Sequence, residues 1–105
     1  MLVTCWNNGG HHQSGSGYGI RFRIEDRGRY FQRVWESVIL QIEGEEFSVQ
    51  ISKGFWGKCP ELRHQQIGLW FIKHNLAPWP QYRPPQLILE PIKENKFRLS
   101  IPTQH

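Results

Sequence analysis

Two adjacent histidines, His11 and His12, lie in a polar, glycine-rich segment, WNNGGHHQSGSGYG, that begins at Trp6 and ends at Gly19. An imidazole titrates near neutral pH, so either ring could be a general base or acid in phosphodiester cleavage. No partner acid or base can be placed by spacing, however, and such a histidine pair is also common as solvated surface. The same composition is typical of a disordered loop.

The glycine-rich segment also has the composition of a loop that reads nucleic acid. Glycine lets the backbone approach a ligand closely, and the polar side chains offer donors and acceptors suited to phosphates and base edges. These polar residues are Asn7, Asn8, His11, His12, Gln13, Ser14 and Ser16.

Arginines follow this loop in an alternating stretch, YGIRFRI. The period of two predicts a half-buried strand in which Ile20, Phe22 and Ile24 face the core. Arg21 and Arg23 then face outward together, on the side of the preceding loop. We expect replacement of both arginines to leave folding almost unchanged, because exposed charge contributes little to stability.

The net charge of +4 is distributed unevenly along the 105 residues. Residues 1–35 carry +3, residues 36–52 carry −4 and residues 53–105 carry +5. Separate acidic and basic surfaces create an oriented field, and phosphate backbones are the commonest partners of the basic side. Ordinary solvated charge is the alternative interpretation.

The length predicts one domain, residues 1–105, with a single core. The longest unbroken apolar run, Leu69–Ile72, is far shorter than a membrane span. The chain shows no secretory signal, and its two cysteines do not form a disulfide framework. We therefore expect a soluble cytoplasmic protein without a membrane partner.

Residue types that bind metals are present but lack the paired spacings of structural zinc sites. They are Cys5, His11, His12, Cys59 and His64. The glycine-rich segment also lacks the lysine and the strand-to-helix setting of a phosphate-binding loop or dinucleotide fingerprint. We therefore expect no metal site and no cofactor.

Alternating apolar residues predict about six short strands. LVTCW and YGIRFRI flank the glycine-rich segment, and SVILQIEGEEFSVQI is typical of a hairpin with its glutamates on the outer face. QLILEP and KFRLSI are predicted as a closing pair, with Phe97, Leu99 and Ile101 facing inward. EDRGRYFQR is expected to hold a short helical turn anchored by Tyr30 and Phe31.

One helix is predicted from CPELRHQQIGLWFIKHNL. Pro60 suits its first turn, and Glu61 there complements the helix dipole. Asn75 can take the left-handed conformation that ends a helix. Gly68 is expected to let another backbone pack closely. Cys59 is expected to cap the helix or to pack as a small apolar group.

Two tryptophans lie in loops beside cations. Trp56 is close in sequence to Lys53 and Lys58, and Trp79 is close to Arg83. An exposed ring in this position could stack on an unpaired base. Alternatively, the two rings cover the open ends of a barrel, which suits the usual burial of tryptophan.

These elements predict a mainly β protein with one or two short α-helices, arranged as a small open β-barrel. Their order resembles the DNA-binding pseudobarrel, the fold of plant B3 domains and of effector-binding domains of certain restriction enzymes. The resemblance covers LVTCW, the loop NNGGHHQSGSG as the family's N-arm, YGIRFRI, EDRGRYF, SVILQIEGEEFSVQI, IGLWFIKHNL, LILEP and KFRLSI. It implies a single pseudobarrel domain that binds DNA.

We expect a nucleic-acid-binding module without catalysis, with double-stranded DNA preferred over RNA. The residues expected to contact it are Asn8, His11, His12, Ser14, Arg21, Arg23, Arg27, Arg29, Lys53, Trp56 and Lys58. Two alternatives stay open: a small nuclease or toxin that depends on His11 and His12, and a protein-interaction module that uses the proline-rich segment APWPQYRPP.

Overall fold

The computed structural model describes residues 1–58 and 60–102. Within these residues the chain forms seven β-strands, two α-helices and a short 3-10 helix. The strands are β1 (Leu2–Asn7), β2 (Tyr18–Arg21), β3 (Ser37–Ile42), β4 (Glu45–Gln50), β5 (Glu61–Arg63), β6 (Gln86–Lys93) and β7 (Lys96–Ser100). The helices are α1 (Ile24–Tyr30) and α2 (Gln65–Lys73), and the 3-10 helix is Lys53–Trp56.

The strands form one sheet in the order β4-β3-β7-β6-β1-β2-β5. All neighbours are antiparallel except β3 and β7, which pair in parallel. The two outermost strands, β4 and β5, come into contact, so the sheet is nearly closed into a barrel. The rings of Phe47 and His64 lie 4.6 Å apart across this seam. The predicted fold class, a mainly β open barrel, is confirmed.

The barrel has one hydrophobic core, to which every strand contributes at least one buried side chain. At one end, Phe22, Phe31, Phe55 and Phe97 form an aromatic cluster with ring centroids 4.8–5.7 Å apart. Each such ring stabilises the fold by about 1.5–3 kcal/mol through burial. The cluster fixes α1 and the 3-10 helix against the barrel, because Phe31 follows α1 and Phe55 belongs to the 3-10 helix.

The hairpin of β3 and β4 and the inward positions of Phe97 and Leu99 agree with the sequence prediction, but two other residues predicted to face the core do not. The turn of the hairpin consists of Glu43 and Gly44, both with positive φ (52° and 84°), as two-residue hairpin turns require. Ile24 does not face the core: it is the first residue of α1 and is 60% exposed. Ile101 follows the end of β7 and is 38% exposed, so its predicted inward position is also wrong.

The predicted helix begins later than its sequence suggested, because its first residues form β5 instead. Backbone hydrogen bonds explain the difference: the amide of Phe22 donates to the carbonyl of Pro60, and β5 pairs with β2. α2 starts at Gln65 and is capped by His64, whose Nδ1 atom accepts a hydrogen bond from the Gln66 amide. Cys59, expected to cap or pack near the helix start, lies outside the described residues.

The end of α2 agrees with its prediction. Asn75 has a φ of 58°, and the Leu76 amide donates to the carbonyl of Phe71 at 2.8 Å. The proline-rich segment that follows is not uniformly extended, because the Arg83 amide donates to the carbonyl of Pro80 in a turn. In the described part of the chain, the helices are all too short to cross a membrane.

Candidate functional site

The glycine-rich loop between β1 and β2 is packed against α2. A Cβ atom added to Gly68 would lie 2.1 Å from the carbonyl oxygen of Gly15, and one added to Gly15 would lie 2.6 Å from the carbonyl oxygen of Gln65. The Gln65 side chain also donates to the carbonyl of Ser14 at 2.8 Å. Gly68 therefore allows a second backbone to approach the helix, as predicted, and that backbone is the glycine-rich loop.

His11 is held inside this loop by both of its ring nitrogens. Its Nε2 atom lies 2.8 Å from the side-chain nitrogen of Asn7, and its Nδ1 atom lies 2.8 Å from the hydroxyl of Tyr18. The Gly9 backbone amide donates to the side-chain oxygen of Asn7. This contact fixes the orientation of the Asn7 side chain, so its nitrogen faces His11. Asn7 therefore donates to Nε2, and the protonated Nδ1 donates to Tyr18.

This arrangement does not favour His11 as a catalytic base or acid. Neither of its partners is a base at neutral pH, and burial raises the pKa of the Tyr18 phenol further. The His11 ring also packs edge-on against Trp79, with centroids 4.8 Å apart. The contacts of His11 are those of a side chain that fixes the loop to the barrel, although His11, like its neighbour His12, is exposed.

A second group of charged side chains lies on the outer face of β2 and β5. The Glu61 carboxylate is almost fully buried, with 2% of its side chain exposed. It accepts hydrogen bonds from Arg21 Nε and Nη2, at 3.3 and 3.1 Å, and from Arg63 Nη2 at 3.3 Å. Arg63 also lies over the ring of Trp6, 4.4 Å from its centroid. Gly19 separates Trp6 from Arg63 in the sheet and carries no side chain that would block this contact.

A third group joins α1 to the 3-10 helix. Arg27 Nη1 donates to the carbonyls of Phe55 and Gly57, both at 2.8 Å. Its guanidinium lies 5.5 Å from the ring centroid of Trp56, and that of Arg33 lies 4.8 Å from the same centroid. Arg27 therefore holds the 3-10 helix in place, and the ring of Trp56 is covered by cations of its own chain.

The remaining predicted contact residues are exposed. Arg23 precedes α1 and Arg29 lies on its last turn, whereas Lys53 begins the 3-10 helix and Lys58 lies two residues after its end. In the glycine-rich loop, Asn8 and Ser14 are exposed as well. These side chains are accessible to a large ligand without any change in the fold.

Together these groups form a basic face, which we define as residues 18–36, 53–58 and 60–63. The face carries eight of the thirteen basic residues of the chain but only four of its nine acidic residues. It is continuous in space because β2 pairs with β5, and because Arg27 contacts the carbonyls of Phe55 and Gly57. The net positive charge of the protein thus resides on this face.

The glycine-rich loop and the predicted arginine pair are not immediate neighbours. The loop joins β2 at Tyr18, whereas Arg21 is opposite Thr4, three residues further along the strand. At about 3.3 Å per residue, this separation is about 10 Å. Trp6 and Arg63 occupy the space between the two, so the structure places residues in the centre of the site that the sequence had not indicated.

Sequence reasoning missed Trp6, Arg33, Glu61 and Arg63. Glu61 and Arg63 were assigned to the helix, and side chains in a helix do not alternate between two faces as they do in a strand. If Glu61–Arg63 is treated as a strand, the period of two places Glu61 and Arg63 on one face and Leu62 on the other. The burial of Leu62 in the core agrees with this placement.

Within residues 1–58 and 60–102, no group of three or more histidine, cysteine or acidic side chains could hold a metal ion. Comparison with known protein families, with characterised proteins and with solved structures finds no match to this chain. The assignment of a function therefore depends on the geometry and charge of the site itself.

Proposed function

We propose that the protein is a nucleic-acid-binding module without catalytic activity, and that its ligand is double-stranded DNA. The observation that carries this proposal is the concentration of eight basic residues on the basic face. A surface of this kind attracts a polyanion, and arginine side chains contact phosphate oxygens in fixed geometry. The acidic β3–β4 turn lies outside this face and gives the molecule an orientation toward such a ligand.

The tryptophans favour a duplex over a single strand. Proteins that bind unpaired bases offer open aromatic rings on which those bases stack. Here the rings of Trp6 and Trp56 are covered by Arg63, and by Arg27 and Arg33. In this proposal the cations above the rings contact phosphates, which a duplex presents on its outside.

The experiment is a titration with a short duplex at several salt concentrations. If four to six phosphates are neutralised, log K should fall with log salt at a slope of about −4 to −5. Affinity then decreases by about two to three orders of magnitude between 50 and 200 mM salt. An affinity that does not change with salt concentration, or the absence of binding to any nucleic acid, would refute the proposal.

Matched variants test where the ligand binds. Arg29→Ala on the basic face should weaken binding and reduce the slope by about one contact, whereas Arg98→Ala on β7 should have little effect. Changing Glu45 and Glu46 to alanine should preserve or raise affinity, because both lie on the acidic hairpin. DNA and RNA incubated with the protein should stay intact, and cleavage that His12→Ala abolishes would replace this proposal with a nuclease.

A further inference from the structure

We infer that Arg21 and Arg63 form a clamp for one phosphate group, and that the buried carboxylate of Glu61 orients both arginines. The clamp deepens the proposed function and rests on it, because the phosphate is taken to be a phosphodiester of the nucleic-acid backbone. It assigns Glu61 a role in binding although its own charge repels the ligand.

The burial of Glu61 explains why the arginines are held in place. A carboxylate away from water is costly unless cations and hydrogen bonds compensate it. Both oxygens of Glu61 are used: Oε2 accepts from Arg21, and Oε1 accepts from Arg63. If either arginine leaves, the buried carboxylate keeps only the other arginine as its partner, which is unfavourable.

Both guanidinium groups nevertheless remain open to a ligand. The side chain of Arg21 is 52% exposed and that of Arg63 is 59% exposed, whereas that of Glu61 is 2% exposed. Each guanidinium has five N–H donors. Arg21 uses two of them on Glu61 and Arg63 uses one, so most of the donors of each group remain for a phosphate.

The sheet sets the spacing of the two arginines. Arg21 lies directly opposite Glu61, and Arg63 lies two residues further along β5 on the same face. Diagonal neighbours of this kind are about 7–8 Å apart, a distance that one tetrahedral phosphate can bridge. A cavity of about 270 Å³ adjoins Arg63 and Glu61, with Gln50 and Ser52 among its other lining residues.

Glu61 contributes by orienting the side chains of Arg21 and Arg63 before the ligand binds. A flexible arginine loses side-chain entropy when it is fixed on a ligand, and a group that is already fixed avoids much of this loss. The ring of Trp6 supports Arg63 from another side. If only the charge of Glu61 mattered, this carboxylate would weaken phosphate binding, because it repels phosphate. Removal of that charge therefore distinguishes the two effects.

The experiment compares Glu61→Gln with Glu25→Gln, which makes the same change in charge at an exposed position on α1. We expect Glu61→Gln to bind a short duplex about threefold to tenfold more weakly than the wild type. Glu25→Gln should bind equally well or more tightly. A melting curve of each variant identifies a temperature at which both are folded.

A second pair of variants keeps the inference testable if Glu61→Gln does not fold. Arg63→Lys retains the charge but loses the planar group that contacts a carboxylate and a phosphate together. It should bind at least about threefold more weakly, while Arg98→Lys, at an exposed position on β7 outside the basic face, should bind almost as the wild type does.

The outcomes separate the clamp from the proposed function. If the wild type binds DNA but Glu61→Gln binds as tightly as Glu25→Gln or more so, the clamp is wrong and the proposed function stands. If inorganic phosphate shifts the side-chain Nε resonances of Arg21 and Arg63 and duplex DNA does not bind, the clamp stands and the proposed function fails. If neither ligand has an effect, both are refuted.

Discussion

Replacement of Arg21 by alanine should destabilise the protein, whereas replacement of Arg23, two residues later, should not. Arg21 donates two of the three hydrogen bonds that the Glu61 carboxylate accepts from described residues. Arg23 is exposed and takes part in none of the ion pairs found between described residues. The two arginines have the same charge and nearly the same position, so they form a matched pair.

The magnitude follows from the exposure of the two partners. Removal of one partner of a fully buried ion pair costs about 3–5 kcal/mol. Arg21 is 52% exposed, so solvent screens its interaction, and Arg63 remains as a second partner of Glu61. We therefore expect Arg21→Ala to lower the free energy of unfolding by about 1–3 kcal/mol. Arg23→Ala should change it by less than about 0.5 kcal/mol.

Thermal and urea denaturation measure this difference. In a domain of about 100 residues, 1 kcal/mol corresponds to about 4–8 °C in Tm, so Arg21→Ala should melt at least about 4 °C below the wild type. Combining it with Glu61→Gln should recover part of the loss, because no buried charge is then left without its main partner. Equal stabilities of Arg21→Ala and Arg23→Ala would refute the argument from the buried carboxylate.

Two further substitutions test the attachment of the glycine-rich loop and the cap of α2. Gly68→Ala should destabilise the protein by about 1–2 kcal/mol despite the better helix propensity of alanine, because the added Cβ would overlap the Gly15 carbonyl. The glycine-rich loop should also become more sensitive to proteases. A more stable variant with an unchanged loop would contradict this packing. Burial lowers the pKa of His64, so its contribution to stability is present above the unfolded-state value of 6.5 and is lost as the pH falls through the lower folded-state pKa. His64→Asn retains a capping side chain and should flatten this part of the stability-versus-pH curve, whereas an unchanged curve would exclude His64 as its source.

The parts of the fold that the sequence predicted correctly depend on local patterns. The β3–β4 hairpin combines two alternating stretches with a two-residue turn at Glu43 and Gly44, and both signals act within fifteen residues. The end of α2 at Asn75 was predictable for the same reason, because the left-handed conformation is a property of that residue and its neighbours.

The predictions that were wrong concern short segments whose structure depends on distant partners. β5 has three residues, and Leu62 at its centre fits the apolar pattern of a helix as well as that of a strand. Its pairing with β2, about forty residues earlier, decides the outcome. Ile24 was assigned to a strand by alternation, but the strand ends at Arg21 and α1 begins at Ile24.

The candidate site was predictable in its residue types but not in its contacts. Arg21 and Arg23 are both exposed, as expected, but only Arg21 lies in the strand, because β2 ends there and Arg23 directly precedes α1. The ion pair with Glu61 could not be predicted once β5 had been assigned to a helix. The close approach of Gly15 to Gly68 likewise joins two segments more than fifty residues apart, and no local pattern identifies the partner.

The position of β7 in the sheet has a consequence for aggregation. β7 lies between β3 and β6 and joins the strand pair β4-β3 to the four strands β6-β1-β2-β5. If β7 detaches, each of these two parts presents an unpaired edge. Such edges can pair with other chains, so local unfolding of β7 exposes the protein to aggregation from two sides.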